Sequence, residues 1–356
     1  MAMTTKAYYG GIFLIATIVP LIVFMMVRQN TISEQSSEEF VDQHRILKDS
    51  RAECHTSCYG AGGSTPLQAL TPDQWYHWNM YGFLYIPGFY DAERVAQLAA
   101  LTDEVWANRK IPDHPAGGLT VNGYISTEGK QEFHAFMKDV DDDVRKVPYK
   151  INDLYLISDL VRETIIGGRL SYILEALLDA EPVVCNSLSF EYGSQQPIHL
   201  DTWYMPSRVM NGMIASWIAI DEVTDVNGPL LYYPGSHMIK PFSMNPEAPS
   251  MTGRIVDRQG ADKGEKHNEF GNYIKEQMEK RGITGVEFKA KPGDLLIWHG
   301  NLLHGGVPIK DDMKTTRRAL VTHYHSTKDY IHNSRRLMKE KSGSGFIYQK
   351  KVKLNN

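Results

Sequence analysis

Apolar and polar positions follow three different rhythms along the 356-residue chain. From Ala7 to Val27, 21 positions run without a charge. As a helix at about 1.5 Å per residue they would span about 31 Å, the thickness of a bilayer core. Arg28 follows at once with no small-residue cleavage site, so an uncleaved single-pass membrane anchor is expected at 7–27 rather than a secretory signal. Residues 1–6 form a short tail before it. Residues 28–70, rich in Ser, Glu and Gln, read as a polar stalk ending in a Gly-rich linker.

The second rhythm is helical. Thr71-Pro72-Asp73-Gln74 has the form of a capping box with Pro at the first helical position, followed by Trp75 and Trp78 and stopped at Gly82. A strand-like Phe83–Pro87 comes next. Asp91 then heads a helix in which Val95, Leu98, Leu101, Val105 and Trp106 recur at helical spacing. Two further amphipathic stretches lie at 153–165 and 169–179. From Val183 the rhythm changes to short β-like runs at 183–192, 213–220, 230–233, 286–289, 294–299 and 318–325. A polar insertion at 244–282 interrupts them, and its end from Glu265 to Arg281 reads as helical. Helices followed by strands predict an α+β fold whose strands form a sandwich or barrel, in a domain spanning 71–330.

Composition narrows the partners. With 42% hydrophobic and 22% charged residues the chain can bury a core, and a formal charge of −4 gives no basic bias that would suggest nucleic acid. The charge is uneven, however. Residues 331–356 hold seven Lys or Arg against Glu340 alone, which leaves about −10 on residues 1–330 and reads as a solvated basic tail or a contact for anionic lipid headgroups. Three cysteines exclude a disulfide scaffold. Cys54 and Cys58 are open to three readings: free thiols, a disulfide, or part of a metal site with His55. The sequence has no Asn-x-Ser/Thr sequon, which points to a cytosolic rather than a lumenal catalytic domain. Nothing in it names a protein partner.

Thirteen histidines raise the question of which share an ion. Residues i and i+2 of a strand project from one face, so His199-Leu200-Asp201 can present an imidazole and a carboxylate to one point. Rival pairs are His267 with Glu269, in a helical segment where i and i+2 diverge, and His323 with His325, on a strand where they do not. Two histidines on one strand face also occur in cupin-type metal sites. Downstream, a Pro292-Gly293-Asp294 turn feeds an apolar strand that delivers His304 beside Gly305 and Gly306. Two histidines and one carboxylate on one face of Fe(II) leave three positions open, enough for a 2-oxo acid and dioxygen, and a guanidinium suits the far carboxylate of such an acid.

In family order the chain carries Tyr81-Gly82-Phe83-Leu84-Tyr85-Ile86-Pro87, His199-x-Asp201, Asn227-Gly228-Pro229 with Pro234-Gly235-Ser236-His237, Gly293-Asp294 through His304-Gly305, and Arg317-Arg318-Ala319-Leu320. From about Thr71 to Thr327 it resembles the phytanoyl-CoA dioxygenase family of Fe(II)/2-oxoglutarate oxygenases. The resemblance implies a double-stranded β-helix, a jelly-roll or cupin-like core with packing helices. It implies iron on His199, Asp201 and His304, and 2-oxoglutarate held by Arg317 rather than Arg318, with Trp217 and Lys150 near the cosubstrate. It also implies dioxygen as second cosubstrate, release of succinate and CO2, and hydroxylation of an unactivated C–H bond, since related halogenases lack the carboxylate that Asp201 supplies. With the anchor, a lipid or other small-molecule substrate is expected. His237 is expected to be structural; His299, five residues before His304, would replace it as ligand if the strand register slipped; His323 and His325 are expected to line the pocket or to be hydrogen-bonded within it. A membrane-tethered binding module without activity and a cupin-like metalloprotein using His323 and His325 are the alternatives. One departure stands out: many relatives have Ser two residues after the distal His, and this chain has Gly306.

Overall fold

The computed structural model describes residues 69–124, 132–209, 211–240, 265–329, 336–350 and 352. The expected anchor at 7–27, almost all of the stalk, and Cys54 and Cys58 lie outside these residues. Among the described residues no helix is long and apolar enough to cross a membrane.

The first helix, α1 (Pro72–Tyr81), starts where the capping box places it: Thr71 Oγ1 accepts the Gln74 amide and Gln74 Oε1 accepts the Thr71 amide. It leads into β1 (Phe83–Ile86) and the long helix α2 (Ala92–Asn108), capped by Asp91. A hairpin of β2 (Thr120–Tyr124) and β3 (Glu132–Phe136) and the short β4 (Tyr149–Asn152) precede helices α3 (Asp159–Ile166) and α4 (Gly168–Leu178). The remaining strands are β5 (Pro182–Phe190), β6 (Met213–Ala219), β7 (Leu230–Tyr232), β8 (Val286–Phe288), β9 (Leu295–His299), β10 (His304–Gly306), β11 (Ala319–Ser326), β12 (Leu337–Lys339) and β13 (Phe346–Tyr348). Two helices sit among them, the one-turn α5 (Asp201–Tyr204) and α6 (Glu265–Arg281), the latter where the pattern predicts it.

The strands form a ten-stranded sheet in the order β1-β9-β6-β11-β5-β4-β2-β3, with β13 and its partner β12 attached at β5, and a three-stranded sheet β10-β7-β8. Aromatic edges bridge the sheets: Trp217 of β6 and Tyr85 of β1 both meet Phe288 of β8, at 5.5 and 5.2 Å. This is the expected α+β arrangement of a sheet-on-sheet core with packing helices. On the large sheet's helical side, Leu98, Trp106, Ile165, Ile173 and Leu174 pack with Val184, Ile214, Ile218, Leu320 and Tyr324. Fully burying one such side chain contributes about 1.5–3 kcal/mol. Strand β9 begins at a turn that only glycine fits: Gly293 has φ +89°, and a Cβ there would stand 2.2 Å from the Tyr90 carbonyl oxygen. Asp294 secures the turn by accepting from the Lys291 and Gly88 amides and the Tyr85 hydroxyl.

Two expectations need correction, and three strands lie where none was expected. The fold begins before Thr71, because Leu70, assigned to the stalk, is buried in the helical core. Residues 336–350, expected within a solvated basic tail, form the β12–β13 hairpin; β13 runs parallel to β5, pairing Phe346 with Val183, and Ile347 is buried. The lysines of this segment hide the signal, since Lys339 and Lys350 form ion pairs with Glu181 and Asp153 instead of dispersing into solvent. Strands β2, β3 and β4 were not foreseen.

Candidate metal and cosubstrate site

Two chain segments with no neighbourhood in sequence meet at the centre of the site. The His199 amide donates to the His304 carbonyl at 2.8 Å, and the His304 amide returns a bond to the His199 carbonyl at 3.1 Å. This isolated antiparallel bridge fixes both imidazoles from their backbones. Only His199 is extended; Asp201 opens the single turn of α5, so the same-face rule for strands explains the pairing in part. The Thr202 hydroxyl ties that turn to Asn301 at 2.6 Å.

One donor atom each from His199, Asp201 and His304 lies within 4.8 Å of the others, and all three residues are buried. The His199 and His304 Nε2 atoms stand 3.7 and 3.5 Å from Asp201 Oδ1. Each imidazole donates its Nδ1–H to a backbone carbonyl, His199 to Pro197 at 2.8 Å and His304 to Leu302 at 2.9 Å. This leaves the Nε2 lone pairs directed at a common point, as metal ligation requires. Burial, helped by repulsion from His304, pushes His199 down to about 3. Burial alone would raise the Asp201 carboxyl, but the His304 and His323 imidazoles outweigh it and hold it well below the usual carboxylate range. A neutral imidazole and an ionised carboxylate are the forms that bind a cation.

Two contacts to Asp201 were not read from the sequence. Trp298 Nε1–H donates to Asp201 Oδ2 at 2.7 Å, and His323 Nε2 lies 3.4 Å from Oδ1. Both arise from tertiary convergence, because Trp298 looks like an apolar strand residue and His323 like half of a same-face pair. His325, two residues and about 6.6 Å further along β11, donates instead to the Met205 carbonyl at 3.2 Å. The His323/His325 pair therefore does not converge on one ion. His299 is held by Asn211 and the Asn301 amide, and Glu269 is exposed on α6.

The three donors open onto a cavity of about 460 Å³ that both sheets line. Arg317, Trp217 and Lys150 line it too, so every residue expected to meet iron or cosubstrate faces one space. Arg317 is buried, donates Nε–H to the Gly228 carbonyl at 3.0 Å and lies 5.5 Å over the Trp217 ring. No carboxylate among the described residues pairs with it, and burial pushes its guanidinium down to about 10, still cationic at neutral pH. Arg318 faces elsewhere, in a bidentate pair with Asp221. Lys150 enters from β4, opposite Asn122 and Phe190. The donor set fits a divalent iron, and the unpaired guanidinium fits the distal carboxylate of 2-oxoglutarate. Gly306 has a steric cause: a Cβ there would stand 2.6 Å from the Gln195 amide nitrogen, so the strand after His304 passes too close to residues 194–195 for serine.

A model of the phytanoyl-CoA dioxygenase (PhyH) family matches residues 78–319, which include the three donors and Arg317. The mouse phytanoyl-CoA dioxygenase domain-containing protein 1 is 22% identical over 261 residues, 67% of this chain and 84% of that protein. A probable phytanoyl-CoA dioxygenase of Caenorhabditis elegans is 27% identical over 131 residues, 37% of this chain and 36% of that protein. Among solved structures, the non-heme alpha ketoglutarate dependent carbocyclase SnoK from nogalamycin biosynthesis superimposes with a TM-score of 0.51 at 15% identity, covering 80% of this chain and 96% of its own, a likeness of fold. With the family model spanning most of the chain and the His-Asp-His cluster inside the matched span, the chain belongs to the phytanoyl-CoA dioxygenase family and is an oxygenase.

Proposed function

We propose that the protein is an Fe(II)- and 2-oxoglutarate-dependent dioxygenase that hydroxylates an unactivated C–H bond of a small molecule. The observation that carries this reading is the shared cavity, with His199, Asp201 and His304 converging on one point and a buried, carboxylate-free Arg317 lining the same space. His199, Asp201 and His304 hold the metal. Arg317 takes the distal carboxylate of 2-oxoglutarate against the Trp217 face, with Lys150 adding positive charge. When bound, iron and 2-oxoglutarate activate dioxygen for C–H oxidation as 2-oxoglutarate leaves as succinate and CO2.

The chain's own contribution is binding, orientation and exclusion of water. Leu188, Leu230 and Val321 present apolar walls to the cavity. Its volume lies within the range of about 300–1,000 Å³ usual for small-molecule pockets. Tyr204 lines it while 55% exposed, and Ile198, beside His199, is 46% exposed. An apolar lip of this kind suits a substrate with an aliphatic or ring portion, and a lipid-type molecule meets that description.

The direct test is anaerobic addition of Fe(II) and 2-oxoglutarate to the purified protein. A weak visible charge-transfer band is expected, together with slow conversion of 2-oxoglutarate to succinate once air is admitted. Absence of the band in the wild type, or its survival in an Asp201→Ala, His304→Ala double variant, contradicts the assignment.

A further inference from the structure

We propose that Trp298 and His323 act together as positioning residues that keep Asp201 a one-oxygen ligand, and so keep a coordination position open for the reaction. The inference rests on the reading of His199, Asp201 and His304 as the ligand set. A carboxylate can meet a metal through one oxygen or both. If Asp201 used both, the second oxygen would take one of the three positions that a facial triad leaves free.

The two Asp201 oxygens live in different surroundings. Oδ2 accepts the indole N–H of Trp298 at 2.7 Å, between two buried side chains. Oδ1 faces three imidazole Nε2 atoms, at 3.7 Å from His199, 3.5 Å from His304 and 3.4 Å from His323. His199 and His304 belong to the mutually close donor set, and His323 does not. The difference extends to the far side of each ring. His199 and His304 have Nδ1 against backbone carbonyls, which accept only and so leave Nε2 bare for a metal. His323 Nδ1 instead lies 3.2 Å from Oδ1 of the Asn186 side-chain amide, its cross-strand partner on β5, whose oxygen and nitrogen ends exchange by a half-turn. With the amide turned so that its nitrogen faces Nδ1, Asn186 meets His323 in the tautomer whose Nε2–H donates to Oδ1, and it is this orientation that the proposal assigns. Asp201 then has a donor on each oxygen. For Oδ2 to turn onto the metal, the Trp298 bond must break; for Oδ1 to swing away, the His323 contact must break.

Cobalt(II) substitution of the full chain reads this without turnover, because visible d–d absorption weakens as a cobalt site moves from five to six ligands. Trp298→Phe, which frees Oδ2 to join Oδ1 on the metal, is expected to give weaker absorption per bound cobalt than the wild type; His323→Leu, which frees Oδ1 to move off the metal, is expected to alter the spectrum; both are expected to lower metal affinity about 10- to 100-fold. His323→Gln, which restores an N–H donor at similar reach, is expected to recover the wild-type spectrum. His323→Leu and His323→Gln form a pair that stands even if Trp298→Phe fails to fold by circular dichroism. Spectra and affinity unchanged in His323→Leu, while Asp201→Ala still abolishes stoichiometric cobalt binding, overturn the positioning role and leave the ligand set standing. Cobalt binding that survives Asp201→Ala overturns the ligand set and the positioning role together.

Discussion

Arg317 lies buried over Trp217 with its charge uncompensated by any described carboxylate, an arrangement that costs free energy until an anion arrives. Charge-assisted hydrogen bonds contribute about 1.5–3 kcal/mol, so Arg317→Ala is expected to raise the Kd for 2-oxoglutarate by about 10- to 100-fold. Arg317→Lys should recover only part of this, because the ammonium keeps the charge and loses the fork. Anaerobic titration of the metal-loaded protein measures both, and an unchanged Kd in Arg317→Ala would remove the guanidinium from the cosubstrate site. His299 and His237, 5.4 Å apart, matter for stability instead. Burial lowers them to about 3 and about 4. The unfolded chain takes up these protons near pH 6.5, whereas the folded chain resists them, so both groups weaken the fold as pH falls from about 6.5 towards 4. Each contributes a slope of about 1.4 kcal/mol per pH unit in that window and none above it. Urea midpoints between pH 4 and 8 should show the decline, and a His299→Asn variant should show a shallower one; equal slopes would assign the acid sensitivity to other groups. Of the three donors, His199 and Asp201 were legible in part from their spacing of two residues, whereas His304 was reached through the family resemblance. Trp298 and His323 were not legible, since their importance comes only from meeting Asp201, at the far end of long loops.

Helix α6 shows how an element outside the sheets reaches the site. Its Phe270 and Ile274 pack with Leu200 and Leu303. Leu200 lies between His199 and Asp201, and Leu303 directly precedes His304, so the helix presses on the backbone that carries all three donors. Phe270→Ala is expected to cost about 3–5 kcal/mol. Because the lost contact lies behind the donors, metal affinity should fall along with the melting temperature; a lower Tm with unchanged cobalt affinity would limit α6 to general support. The pattern predicted this helix from Glu265 to Arg281, as well as α1 with its capping box, because both signals are local. It missed β2 and β4 for an equally physical reason. Asn122, Lys150 and Asn152 turn polar side chains towards the cavity; the alternation of β4 lasts only four residues, and Asn122-Gly123 interrupts that of β2, so neither run is long enough to be recognised as a strand.

At the scale of the whole described domain, strand order departs sharply from chain order. β1 pairs with β9, so Phe83 lies opposite Trp298, and the β10 of the small sheet carries His304 against β7. The sequence pattern identified most strands after Val183 and the α+β class, yet which strands adjoin depends on contacts between distant segments that no local rhythm encodes. The C-terminal hairpin is the extreme case. Only β5 joins it to the large sheet, where β13 takes the half of the strand that β4 leaves uncovered. A strand edge left bare is a template for pairing with another chain, so this short, lysine-bearing hairpin closes a route to aggregation. It also sets a clock. Phe346 follows its partner Val183 by about 160 residues, a long loop to close, so during synthesis that half of the β5 edge waits exposed until residues 346–347 have emerged. Two backbone pairings, at Phe346 and Ile347, thus govern the interval in which this part of the newborn sheet is most exposed to the wrong partner.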